Sequence, residues 1–181
     1  SPPDFGTLYS GRALEFDGIA DRFQTAGIIQ LATNDTYTFS AWIKPDATTM
    51  EGIMSIGAVY MSLCVSGGYL EARNYSSIAQ LTNTDVHAIT AGQWAYVVGV
   101  FSGGEVTLYK DGVAHSAVAC INESVANQPI YIGYGGTVDY FNGKIANAQV
   151  WDAAWSASDV QYAYTHPEKF AYDTPGTSLT S

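Results

Sequence analysis

Between residues 37 and 45 the chain reads YTFSAWIKP, in which Tyr37, Phe39, Ala41 and Ile43 alternate with Thr38, Ser40, Trp42 and Lys44. A period of two sends the first set to one face of a strand and the second set to the other, so the segment predicts a half-buried strand ended by Pro45. The same alternation recurs on either side of paired turn residues. WAYVVGVFS and EVTLYKDG flank Gly103-Gly104, a pair that tolerates the positive φ angles of a two-residue loop, and together they predict a β-hairpin. Asp111-Gly112 then turns the chain into VAHSAVA, and Gly67-Gly68 does the same between MSLCV and YLEARNY. These hairpins make an antiparallel meander the natural architecture.

One segment reads as helix. After QVWDAAW comes Ser156-Ala-Ser-Asp159, where the serine hydroxyl can cap a helix N-terminus and Asp159 completes a capping-box-like arrangement that also suits the dipole. The helix is expected to run to about Thr165 and to stop before Pro167. Both ends of the chain, SPPDFGT and YDTPGTSLTS, are rich in Pro, Gly, Ser and Thr, as linkers between modules of a longer multidomain polypeptide are.

Size and charge narrow the partners. With 181 residues, 47% of them hydrophobic, the chain has enough apolar surface for one substantial core, and we read residues 1–181 as a single domain with its core over about 13–163. Seventeen acidic against seven basic residues give a net charge of −10, a field that repels phosphate backbones and anionic head groups. Nucleic acid and membrane insertion are not expected. No apolar run approaches the ~18 residues of a spanning helix. The N-terminus lacks a basic and apolar signal pattern, so any export signal is expected to have been removed or to lie upstream. The low share of charged residues (13%) and the abundance of Gly and Tyr suit β-structure with tight turns and an extracellular setting.

Individual residues add less. Cys64 and Cys120 fall in separate predicted strands and are either one disulfide or two buried thiols. Sequons stand at Asn34, Asn74 and Asn122. Phe16, Phe23, Trp42, Trp94 and Trp151, set beside β-branched residues, are expected in the core. Asp17-Gly18 is a turn signal in which the carboxylate bonds local backbone amides.

Four phrases, ALEFDGIADRF, YTFSAWIKP, GQWAYVVGVFSGGEVTLYKDG and IYIGYGGTVDYFNGKIANAQVWDAAWSASDV, stand in an order that resembles the laminin-G-like family, in its pentraxin-related, concanavalin A-like branch. The resemblance covers roughly residues 13 to 163. It implies an all-β fold, an antiparallel two-sheet jelly-roll β-sandwich with one short C-terminal helix, in which the first and last strands are adjacent in the middle of the sandwich. It also implies a structural calcium ion where those strands meet. Asp17 and Asp21 match the family's acidic positions, and Asn147 follows Ala146, which stands where an acid is usual. Without the ion, Asp17 caps a turn and Asp21 pairs with Arg22 or solvent.

Some relatives of this sandwich are glycoside hydrolases, whose chemistry needs two carboxylates ~5 to 10 Å apart across the scissile bond. No Glu-x-Asp-x-x-Glu cluster occurs, and Glu71 and Glu105 read as isolated, solvated acids. His87, His115 and His166 are scattered without metal-ligand spacing, and there is no Gly-x-Ser-x-Gly elbow or phosphate-binding loop. The chain is therefore expected to be a non-catalytic, lectin-like module whose partner is a glycan or cell-surface polysaccharide. The alternative is a structural or adhesive module of a larger surface assembly, such as a bacteriophage virion or tail protein or a bacterial adhesin, settings in which such relatives occur. The residues expected to bind are two clusters. Tyr134, Asp139 and Tyr140 lie in the glycine-rich loop after IYI, and Tyr69, Arg73 and Tyr75 follow Gly67-Gly68 on one strand face.

Overall fold

The computed structural model describes residues 13–27, 29–57, 61–74, 78–80, 88–121, 124–136 and 139–167, and of Asn74 and residues 78–80 the backbone alone. The alternating segments form two antiparallel sheets packed face to face. The first holds β1 (Leu14–Asp17), β4 (Tyr37–Pro45), β9 (Ala95–Ser102), β10 (Glu105–Lys110), β11 (Val113–Ala114), β12 (Val118–Ala119) and β15 (Asn142–Trp151). Its order is β1-β15-β4-β9-β10-β11, with β12 also pairing β10. The second holds β2 (Phe23–Gln24), β5 (Met50–Ile56), β6 (Met61–Ser66), β7 (Tyr69–Asn74), β8 (Ile78–Gln80) and β14 (Ile130–Ile132), in the order β2-β14-β5-β6-β7-β8. A short ribbon of β3 (Ile29–Leu31) and β13 (Val125–Gln128) lies beside them.

The hairpins fall where the glycine pairs put them, with Ser102 opposite Glu105, Ser66 opposite Tyr69 and Lys110 opposite Val113. The third turn places the non-glycine Asp111 at a φ of 50°, and its carboxylate offsets that strain by accepting the Tyr96 N–H at 2.8 Å. β1 and β15 are adjacent as the resemblance implied. However, β1 is the edge strand of the described sheet and not its middle.

Phe39, Ala41, Ile43, Val97, Phe101 and Leu108 of the first sheet meet Met54, Ile56, Leu63, Val65, Leu70 and Ala72 of the second in one core. The Tyr37 and Phe101 rings stack at 4.5 Å within it. Phe16, Trp42 and Trp151 are buried as expected and Trp94 is half-buried. Phe23 is not in the core. It is 51% exposed, because β2 is a two-residue edge strand with no described strand beyond it.

β4 differs from its sequence reading too: it is buried on both faces. The second face is covered by the helix α1 (Ala157–Thr165) and the segment leading into it. Tyr164 of α1 stacks on Trp42 at 5.8 Å, and the Thr38 hydroxyl donates to Ala153 O at 2.7 Å while accepting the Trp155 N–H at 3.1 Å. The reciprocal capping box of Ser156 and Asp159 starts the helix as the sequence predicts. Cys64 and Cys120 are buried free thiols, and burial pushes the Cys64 thiol up to about 12.

Candidate functional site

Alternate residues of the second sheet turn away from the core. Tyr131 lies opposite Ser55, Ser55 opposite Ser62, Ser62 opposite Arg73, and Cys64 opposite Glu71, so these side chains share one outward face. Ser55, Ser62, Cys64 and Glu71 are nevertheless buried. The chain after β14 lies against them. Gly133 N–H donates to Ile53 O at 2.8 Å, the Ser55 hydroxyl donates to Tyr134 O at 2.9 Å, and Gly135 N–H closes the loop on Asp139 O at 2.9 Å. Gly135 rests directly on Gly52, where a Cβ on either residue would strike the other's backbone. Two glycines are required because two backbones touch.

This docking joins the two clusters that the sequence kept apart. Arg73 donates through Nε to Glu71 Oε2 at 2.9 Å and through Nη2 to the same oxygen at 2.8 Å, and its Nη1 stands 3.9 Å from Asp139 Oδ2. Glu71 is thus neither isolated nor solvated, which corrects its sequence reading. It is 4% exposed and neutralised by Arg73. Burial raises the Asp139 carboxyl above its ordinary value, with Arg73 opposing the shift.

The aromatic side of the loop is a cluster of rings. Tyr134 sits between Tyr131, edge-on at 5.3 Å, and Tyr140, tilted at 4.9 Å. Arg22, from the turn between β1 and β2, lies over Tyr131 and Tyr134 at 5.5 and 5.2 Å and donates from Nη1 to the Tyr140 hydroxyl at 3.2 Å. Tyr134 is buried, so it anchors the loop, while Tyr131 and Tyr140 are half-buried and Arg22 is exposed. Tyr69 shares the β7 face with Arg73 and sits at the other end of that strand, opposite Ser66. Tyr75 lies outside the described residues.

The sequence reading missed Arg22, Tyr131 and Glu51. Glu51 is 4% exposed and accepts the Asn142 N–H at 2.7 Å, which ties β5 to the start of β15. A lone acid in the run MEGIMSI was its signal. A bulge between Gly52 and Met54 broke the alternation that would have exposed it as anomalous. Burial raises the Glu51 carboxyl above its ordinary 4.5, the Asn142 amide opposing and Asp139 and Asp46 adding to the rise. Between that value and the raised one, the native state keeps a proton that the unfolded chain has released. Stability therefore falls as pH rises through this window, and the penalty vanishes below it. Glu51→Gln keeps an acceptor for Asn142 without the charge. Its melting temperature is expected to gain on the wild type progressively as pH is raised from mildly acidic to neutral, and a constant difference across that range would refute this account.

A family model described as the concanavalin A-like lectin/glucanases superfamily matches residues 17–161. The chain belongs to this superfamily. Among solved structures, this concanavalin A-like domain is similar to a native heptameric SAP-like pentraxin from Limulus polyphemus, with 21% identity and a TM-score of 0.62 over 83% of this chain and 80% of that one. It is also similar to domain 4 of an extracellular arabinanase from Geobacillus stearothermophilus in complex with arabinotriose, with 20% identity and a TM-score of 0.67 over 85% and 77%. A Trypanosoma rangeli sialidase aligns at 13% identity and a TM-score of 0.59, over 75% of this chain and 23% of the sialidase. No curated protein sequence matches the chain. The laminin-G-like resemblance and the jelly-roll fold therefore hold.

The three residues read as calcium ligands do not converge. Asp17 Oδ1 accepts the N–H groups of Ile19, Ala20 and Asp21 at 2.8, 3.1 and 3.2 Å, and Asp21 Oδ2 accepts the Asp17 N–H at 3.2 Å. These bonds hold the Asp17 carboxyl below its ordinary range, the Ile19 amide contributing most. Asn147 belongs elsewhere. Asp17 pairs with Asn142, whereas Asn147 lies past Ile145 in the bulge of β15, at a φ of 48°, and accepts from Gln149 Nε2 at 2.8 Å. Arg22 turns to the tyrosines and not to Asp21. The donor set of this concanavalin A-like domain does not fit one ion shared by all three residues, because the strand register separates them.

Proposed function

We propose that the domain is a non-catalytic, extracellular carbohydrate-binding module, carried within a longer chain, whose partner is a glycan or cell-surface polysaccharide. The observation that carries this reading is the convergence on the outward face of the second sheet. There Tyr131, Tyr140 and Arg22 present exposed or half-exposed surface beside Arg73 and Asp139, all fixed by a loop docked on a rigid sheet. Sugar sites need this mixture, flat apolar faces for the ring carbons and a few fixed donors and acceptors for the hydroxyls. The arabinanase domain of similar fold holds arabinotriose, which supports a glycan as the partner. The absence of catalysis is supported by the acids themselves. Glu71 is committed to Arg73, and Glu51, although Asp139 is near enough to raise its carboxyl, is 4% exposed and holds the Asn142 amide, so neither stands open to a glycosidic bond.

The test is calorimetry with a glycan identified on an array, comparing the wild type with Tyr134→Ala, Tyr140→Ala and Tyr75→Ala. Tyr140→Ala is expected to weaken binding by at least about 1 kcal/mol through lost contact. Tyr134→Ala should weaken it by loosening the loop. If none of the three changes reaches that size, the site lies elsewhere. If no glycan binds at all, the domain is a structural or adhesive module.

A further inference from the structure

The two arginines at this face are held in opposite ways. Arg73 has acids around it, Glu71 at 2.8 Å and Asp139 at 3.9 Å. Arg22 is exposed and makes no ion pair among the described residues, although the chain carries 17 acids to 7 bases. What holds it is aromatic: the rings of Tyr131 and Tyr134 beneath the guanidinium and the Tyr140 hydroxyl at 3.2 Å. A guanidinium has five N–H donors in a planar fork, and one bond to Tyr140 leaves the others available. Stacking also fixes its orientation before any ligand arrives, so less side-chain freedom is lost when an acceptor binds.

We propose that Arg22 is the specificity-determining contact of this face and that the glycan it selects is acidic, a sugar whose carboxylate accepts two N–H bonds from the Arg22 fork while its ring lies against Tyr131 and Tyr140. A carboxylate matches the planar fork in a way that neutral hydroxyls do not. Arg73 cannot take this role, because Glu71 and Asp139 already neutralise it. The net charge of −10 opposes an anionic ligand at long range. That field is screened beyond about 10 Å at ordinary ionic strength, whereas the contact at Arg22 acts at bonding distance. The inference rests on the glycan-binding reading, and the experiment separates the two.

The experiment screens the domain on an array of neutral, carboxylated and sulfated glycans. The strongest carboxylated ligand is then titrated by calorimetry alongside its carboxyl methyl ester, using the wild type, Arg22→Gln and Arg22→Lys. Arg22 is exposed and outside the core, so the variants are expected to fold, and equal melting temperatures check this. Carboxylated glycans should dominate the array. Esterification and Arg22→Gln should each weaken binding by about tenfold, and the two together by no more than either alone, since both remove one contact. Arg22→Lys should retain part of the affinity. If neutral or sulfated glycans bind best, or if esterification or Arg22→Gln leaves affinity within about twofold, the acidic-sugar inference falls and the glycan-binding reading stands. If no glycan binds, both fall.

Discussion

Gly52→Ala is expected to destabilise the domain by about 3 kcal/mol, the upper end of what overpacking usually costs, and to abolish the proposed glycan binding with it. The methyl group would overlap Gly135 N and Asp139 O, both backbone atoms, which cannot rotate away as a side chain could. The loop must lift. Lifting it breaks the Gly133 to Ile53 bond and the Ser55 to Tyr134 bond, and it uncovers Glu71 and Cys64. For a domain of this size, such a loss corresponds to a fall of roughly 6 to 12 °C in melting temperature. Thermal and urea denaturation would measure it. A melting temperature within about 2 °C of wild type would mean that the loop does not rest on β5.

Arg73→Ala carries the second large effect, through the charge it leaves behind. Glu71 is 4% exposed, and without Arg73 its carboxylate stays buried and unpaired, at a cost of about 3 kcal/mol at neutral pH. Glu71→Gln removes the charge and spares most of the loss. The Arg73→Ala, Glu71→Gln double variant should therefore be more stable than Arg73→Ala alone, which is the mark of coupled sites. Urea titrations of the four proteins at neutral pH give the cycle. A double variant less stable than both singles would show that the pair is not the coupled unit described.

What was legible in the sequence was local. The three hairpin turns and the capping box each depend on residues within a few positions of one another, and each formed where its residues predicted. Burial depends on what lands on a face afterwards. β4 alternates perfectly yet is buried on both sides because α1, more than a hundred residues later, covers the polar one. Glu71 looked solvated for the same reason, since the loop over it arrives from beyond β14. The candidate face was legible in part. Glycines beside tyrosines marked Tyr134, Asp139 and Tyr140, and the strand phase placed Arg73 on the matching face. Arg22 was not legible, because its partner Tyr140 is 118 residues away and the neighbouring Asp21 offered a nearer one. The strand register sets Asn147 apart from Asp17 and Asp21, which a count of acidic positions cannot reveal.

The proposed glycan recognition takes place on the loop-covered face of the second sheet. Nuclear magnetic resonance of the isotopically labelled domain, titrated with the glycan chosen from the array, tests it most directly. Amide and side-chain signals of Arg22, Arg73, Tyr131, Gly135, Asp139 and Tyr140 should shift together and saturate with one affinity, while those of α1 remain in place. Shifts gathered instead around the cavity lined by Leu31, Tyr37, Ile56, Ile130 and Trp151, with the Arg22, Arg73, Gly135, Asp139 and Tyr140 signals in place, would contradict it.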